Sequence, residues 1–105
     1  MSKNYEGLFI MRGDLDDGRV DAAFEELKGL IAKHGGTVSK VDKWGRRKLA
    51  YPIQKLKEGV YFIVYFAILP TQLLDLERAL KLYENLLRFL IIKMEEGALA
   101  GAGTK

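Results

Sequence analysis

The chain has 105 residues, 49% of them hydrophobic and 30% charged, with a formal net charge of +3; that is enough for one hydrophobic core and too little for two. It contains no cysteine, which excludes disulfides, thiolate metal sites and cysteine nucleophiles and fits a reducing compartment such as the cytoplasm. No apolar run approaches the roughly 20 residues needed to span a bilayer, and the first residues lack the form of a secretion signal, so no membrane association is expected.

Residues 5–11 alternate as a first strand, with Tyr5, Gly7, Phe9 and Met11 on one side and Glu6, Leu8 and Ile10 on the other. Arg12-Gly13-Asp14 breaks it, and Asp14 or Asp16 can cap the helix that follows. In that helix Val20, Phe24, Leu27 and Ile31, with Ala23 and Leu30 beside them, form one buried stripe, and Gly35 and Gly36 end it. A second strand is expected over residues 37–50, bent at Gly45, because a glycine inside a strand pattern marks a bulge. Tyr51-Pro52-Ile53 follows, and proline there fits an edge strand. Residues 55–59 are expected to turn the chain back. Residues 60–69 read as a third strand, with Tyr61, Ile63, Tyr65 and Ala67 on one side and Phe62, Val64, Phe66 and Ile68 on the other; so continuous an apolar run belongs in the centre of a sheet. Pro70-Thr71 opens a second helix with the stripe Leu73, Leu76, Leu80 and Tyr83, closed by a left-handed Asn85. Residues 86–94 form the last strand. Residues 97–105, rich in glycine and alanine, are expected to be a flexible tail on a single domain of residues 1–96.

This order predicts an α+β fold of the ferredoxin-like, split βαββαβ type: a four-stranded antiparallel sheet with two helices on one face. The other sheet face has no helical cover, yet the strands carry apolar residues there too. Placing Phe62, Val64 and Phe66 with Leu8 and Ile10 on the uncovered side predicts an exposed apolar patch, and such patches mark surfaces for protein partners.

Catalysis finds no parts. The only histidine, His34, falls at a predicted helix end between Lys33 and Gly35, where a capping role is ordinary. The carboxylates fall on outer helix faces and turns, and neither a glycine-rich phosphate loop nor a Ser, His, Asp set can be assembled. An enzyme is not expected, nor a cofactor, a metal site or a small-molecule substrate.

Charge is the stronger signal. Residues 40–57 hold Lys40, Lys43, Arg46, Arg47, Lys48, Lys55 and Lys57 against the single acid Asp42, a local net charge of +6, while the rest of the chain is net −3. Such polarisation favours a polyanion over a small substrate. Tyr51 can stack on RNA or pack under the hairpin, and packing is the expectation.

Two readings of a sheet with aromatic and basic residues stand beside each other. One is a binder of single-stranded RNA like the RNA recognition motif, whose central strands stack bases on aromatic side chains; residues 57–66 are loosely similar but lack the Gly-aromatic-Gly/Ala-aromatic core. The other is a ferredoxin-like regulatory module that binds a small ligand and forms a homodimer through its sheet. A fuller resemblance covers nearly the whole chain. Tyr5-Glu6, Gly36-Thr-Val-Ser-Lys-Val41, Gly45-Arg-Arg-Lys-Leu-Ala-Tyr-Pro-Ile-Gln-Lys55, Gly59 with Tyr61-Phe62, and Asn85-Leu-Leu-Arg88-Phe-Leu-Ile-Ile-Lys93 resemble, in order and spacing, the bacterial small-subunit ribosomal protein S6 family. That resemblance implies a structural protein of the cytoplasmic ribosome. It would bind the central domain of small-subunit rRNA beside ribosomal protein S18, with which the family forms a heterodimer. Arg46, Arg47 and Lys48, expected to be exposed, would then contact phosphates, with Lys55, Arg88 and Lys93 in support. Leu8, Ile10, Phe62, Val64 and Phe66 would meet the protein partner. A net charge of only +3 implies weak RNA binding by the chain alone and stronger binding with the partner.

Overall fold

The computed structural model describes residues 2–53 and 55–94; the tail expected at residues 97–105 lies outside the described residues. The elements run β1 (Lys3–Arg12), α1 (Asp17–Lys33), β2 (Thr37–Ile53), β3 (Leu56–Ile68), α2 (Pro70–Lys81) and β4 (Leu86–Lys93). The sheet order is β2-β3-β1-β4 with every neighbouring pair antiparallel, the expected ferredoxin-like arrangement, with the most apolar strand, β3, inside the sheet.

Local chemistry sets the helix ends. Asp16 caps α1 by accepting a hydrogen bond from the Arg19 N–H at 2.8 Å. Beyond α1, Gly35 takes φ 86, and the N–H groups of Gly35 and Gly36 donate to the carbonyls of Ala32 (3.0 Å) and Ile31 (2.8 Å), so a residue without Cβ closes the helix. Pro70 opens α2, where its missing N–H leaves no helical bond unmade. Asn85 does not close that helix in a left-handed conformation: among the described non-glycine residues only Lys55 has a positive φ. Instead the N–H groups of Leu82 and Tyr83 tighten onto the carbonyls of Ala79 and Leu80 at 3.1 Å each, a 3₁₀-like last turn that satisfies the end without one.

The core lies between the helices and one face of the sheet. Tyr5, Phe9 and Met11 of β1 and Val60, Phe62, Val64, Phe66 and Ile68 of β3 pack against Val20, Ala23, Phe24, Leu27 and Ile31 of α1 and Leu76 and Leu80 of α2. The expected placement of Phe62, Val64 and Phe66 on the uncovered face is therefore wrong: they are 3%, 0% and 1% exposed and belong to the core. Antiparallel register gives the reason. Directly paired residues share a face, and Phe9 pairs with Phe62, Gly7 with Val64 and Tyr5 with Phe66. The Phe24 ring of α1 stacks on Phe62 with centroids 4.5 Å apart. The uncovered face carries the other set, in which Leu8 pairs with Ile63, Ile10 with Tyr61 and Glu6 with Tyr65.

The hairpin between β2 and β3 is longer than its polar residues suggest. Residues 55–59 do not form a wide turn; β3 begins at Leu56, and Ile53 pairs with Leu56, Lys48 with Glu58 and Arg47 with Gly59. Gly45 does mark a bulge, at φ 89 beside a register shift between Lys43 and Gly45. Because β2 is an edge strand, Pro52 can sit in it without disrupting an interior ladder.

These assignments fix three stability outcomes. Phe66→Ala should cost about 3–5 kcal/mol in denaturant unfolding, whereas Leu90→Ala on the uncovered face should stay within about 0.5 kcal/mol. Tyr83 ties the segment after α2 to α1, its single hydroxyl proton placed to go to the Glu26 carboxylate, with the Ala23 carbonyl the alternative acceptor at 3.2 Å. Burial first, then the bond to Glu26, pushes its pKa up to about 12. A phenol held protonated by the fold contributes fully below its ordinary pKa near 10 and loses that contribution as pH rises toward 12. Thermal midpoints measured from pH 9 to 12 should fall across that window, and Tyr83→Phe should flatten the fall.

Candidate nucleic-acid and partner interface

The uncovered face has an apolar centre and a charged, aromatic rim. Leu8, Ile63, Leu90 and Ile92, with Glu6 and Trp44 at its margins, line a hollow of about 150 Å³. Ile63 is its buried floor, while Leu90 and Ile92 are 57% and 51% exposed. Leu8 and Ile10, two of the residues expected on a partner surface, do lie on this face, with Ile63, Leu90 and Ile92 taking the places expected of Phe62, Val64 and Phe66. Around it, Lys40 sits over the Tyr65 ring at 5.7 Å, and Trp44 stacks on Tyr61 with centroids 6.5 Å apart. The Trp44 indole N–H donates to Asp42 at 3.4 Å.

The far half of β2 is a basic arm, and the alternation of the strand divides its cations. Arg46 turns to the helix side, where its guanidinium donates to the carbonyls of Gly13 and Leu15 (the latter at 3.1 Å) and lies 3.5 Å from Asp17. Only a third of its side chain is exposed, so Arg46 is a clamp on the turn between β1 and α1, not the free phosphate contact expected of it. Gly13 in that turn has no room for a side chain, since a Cβ there would lie 2.2 Å from the Glu58 carbonyl oxygen. Arg47 turns the other way, onto the uncovered face, 5.7 Å over the Trp44 ring and 3.4 Å from the Trp44 carbonyl. Lys48 and Lys55, joined by Lys57, line a groove of about 400 Å³ beside Asp14 and Glu58. Asp14 is already held bidentately by Arg12 at 3.0–3.1 Å, and that hydrogen bonding is the main cause keeping its carboxyl below the ordinary carboxylate range.

The arm also crosses the sheet. Gly59 has no side chain, and a Cβ there would meet Ile10 at 2.5 Å and Leu49 at 3.2 Å; the bare position lets Leu49 lie toward β1. Two residues on, Tyr51 is 58% exposed, against the expectation that it packs under the hairpin, and the Arg88 guanidinium of β4 sits 5.9 Å over its ring. Arg47, Lys48, Lys55 and Arg88 are thus gathered at one end of the sheet. Lys93 is not: it pairs with Tyr5 while Arg88 pairs with Ile10, about five residues and roughly 17 Å away along the strands. Lys57 and Trp44, both inside the basic stretch of residues 40–57, join the site without being expected there, and Tyr51 is exposed although an aromatic in a strand is more often packed.

His34 caps α1, its Nδ1 2.9 Å from the Leu30 carbonyl oxygen, and among the described residues no three His, Asp or Glu side chains cluster as metal ligands. No described helix is long and apolar enough to cross a membrane.

Residues 4–93 match the family described as Ribosomal protein S6. The chain is 45% identical over 94 residues to the small ribosomal subunit protein bS6 of Clostridium novyi, spanning 90% of this chain and 99% of that one. It is 40% identical to the protein of the same name from Moorella thermoacetica, over 91% and 98% of the two chains. Its structure superposes on the crystal structure of 30S ribosomal protein S6 from Thermotoga maritima with a TM-score of 0.84 at 25% identity, covering 99% and 98% of the chains.

The two neighbouring arginines should behave differently when removed. Arg46→Ala leaves two carbonyls without a charged donor and should cost about 1–2 kcal/mol of stability, while Arg47→Ala should cost less than about 0.5 kcal/mol. Urea unfolding of both variants measures the difference directly.

Proposed function

From the premise that the chain belongs to the ribosomal protein S6 family, we propose that it is a structural component of the small ribosomal subunit, binding the central domain of small-subunit rRNA jointly with ribosomal protein S18. Its role is architectural, in the cytoplasmic ribosome, with no reaction of its own. The observation that carries the reading is the adjacency of two unlike surfaces: the basic arm with Arg47, Lys48, Lys55 and Arg88, and the apolar hollow of Leu8, Ile63, Leu90 and Ile92. Cations of the arm neutralise phosphates and release counterions, and the hollow takes apolar side chains of S18. Recognition of single strands on the central strands is disfavoured because Tyr61 is already stacked under Trp44.

Binding to a central-domain rRNA fragment, measured with and without S18 across a salt series, tests this. Joint binding should be at least tenfold tighter than binding by either protein alone. Arg47, Lys48 and Lys55 changed together to alanine should reduce the slope of log K against log salt by roughly 0.7–0.9 for each phosphate the arm no longer neutralises. Leu90→Asp should abolish pairing with S18 while the chain stays folded. Tight binding to RNA without the partner would overturn the joint reading.

A further inference from the structure

We propose that Tyr51 is a stacking platform for an unpaired RNA base, which adds a base contact to the phosphate contacts of the arm; the proposal rests on the RNA reading above. Tyr51 is the most exposed aromatic side chain among the described residues with large apolar surface, at 58%, and it stands on the edge strand β2, where a nucleotide can approach without displacing a neighbouring strand. The Arg88 guanidinium lies 5.9 Å from its ring centroid, a cation–π contact that orients the ring. No second aromatic ring is stacked on it among the described residues, in contrast to Trp44, which Tyr61 and Arg47 both engage.

The backbone is pre-set as well. Pro52 follows directly, and the residue before a proline is confined to extended conformations, so little ordering is left for binding to impose. The charge around the ring selects the ligand class. Arg88 lies over it, Arg47 is on the same uncovered face as Arg88, and Lys48 and Lys55 line the groove at that end of the sheet. A basic protein surface would be repelled there, whereas an RNA strand would place a phosphate near the cations and a base on the ring. Stacking on an aromatic side chain tolerates any base, so the platform recognises an unstacked nucleotide and not a particular sequence.

The test uses the full chain with S18 on a central-domain rRNA fragment, comparing wild type, Tyr51→Phe, Tyr51→Leu and Arg47→Ala across a salt series, with thermal melts and heterodimer affinity measured in parallel. Tyr51→Leu should melt with the wild type, pair normally with S18, and lose about tenfold or more in RNA affinity with an unchanged salt slope. Tyr51→Phe should stay within about threefold of wild type, because the ring is kept. Arg47→Ala should instead lower the slope. If Tyr51→Leu binds RNA like wild type while Arg47→Ala lowers the slope, stacking is overturned and the RNA reading stands. If the loss appears in heterodimer affinity, Tyr51 is a protein contact and the proposal fails. If no variant changes RNA binding or its salt dependence, the underlying RNA reading fails with it.

Discussion

The structure depends on one constraint: both helices of a split βαβ chain return to the same side of the sheet, while β1 and β3, at its centre, are apolar on both sides. The helix-facing residues find partners in α1 and α2 and are close to fully buried. The opposite set cannot. Leu8, Ile10, Ile63, Leu90 and Ile92 are left to cover one another, and the two from the edge strand β4 remain more than half exposed. A surface of that kind is disfavoured in a free monomer and becomes favourable only when something apolar is laid over it. The fold therefore leaves this apolar surface by the same step that creates its core.

That constraint also decides what could be read in advance. The helices were legible because a 3.6-residue period has one solution, and Val20, Ala23, Phe24, Leu27 and Ile31 are all buried. The uncovered face was legible as a fact of topology, but its membership was not. On β3 the two alternating sets, Tyr61, Ile63, Tyr65 and Phe62, Val64, Phe66, are both apolar enough to be core. Hydrophobicity cannot choose between them, and a one-residue error in parity exchanges the entire face. What chooses is the pairing of Phe9 with Phe62 together with the Phe24 ring above it, contacts between residues distant in sequence. The hairpin was misjudged for a related reason: Lys57 and Glu58 look like turn residues, yet an exposed edge ladder asks only for backbone groups, and Lys48 pairs with Glu58 through them.

The basic triplet shows the same limit more sharply. Three consecutive cations on a strand do not share one face, because successive side chains point to opposite sides, and Lys48 joins Arg47 only because the RNA would wrap the end of the sheet. Arg46 goes to the helix side and fastens the turn between β1 and α1; Arg47 goes to the uncovered face and lies on Trp44. The stretch that carries the family resemblance thus has a structural use at several positions. Gly45 supplies the bulge, Arg46 the clamp, Leu49 the cover over Gly59, and Pro52 the edge. A motif that specific is explained as much by the geometry of one bent arm as by what the arm touches.

The distribution of charge then accounts for why one partner would not be enough. With Arg46 clamped and Lys93 at the other end of the sheet, the arm has about four to five cations free to meet phosphates, and so few contacts give weak, salt-sensitive binding. The apolar hollow contributes a different kind of free energy, insensitive to salt and directed at protein. Because Arg47 and Trp44 stand where the arm borders that hollow, a protein seated on the sheet would lie next to the RNA on the arm. The two associations would then share a boundary, and each would help hold the other in place, since the second ligand meets a surface the first has already ordered. On the proposed function, tight assembly would follow from that adjacency and not from the strength of either surface alone.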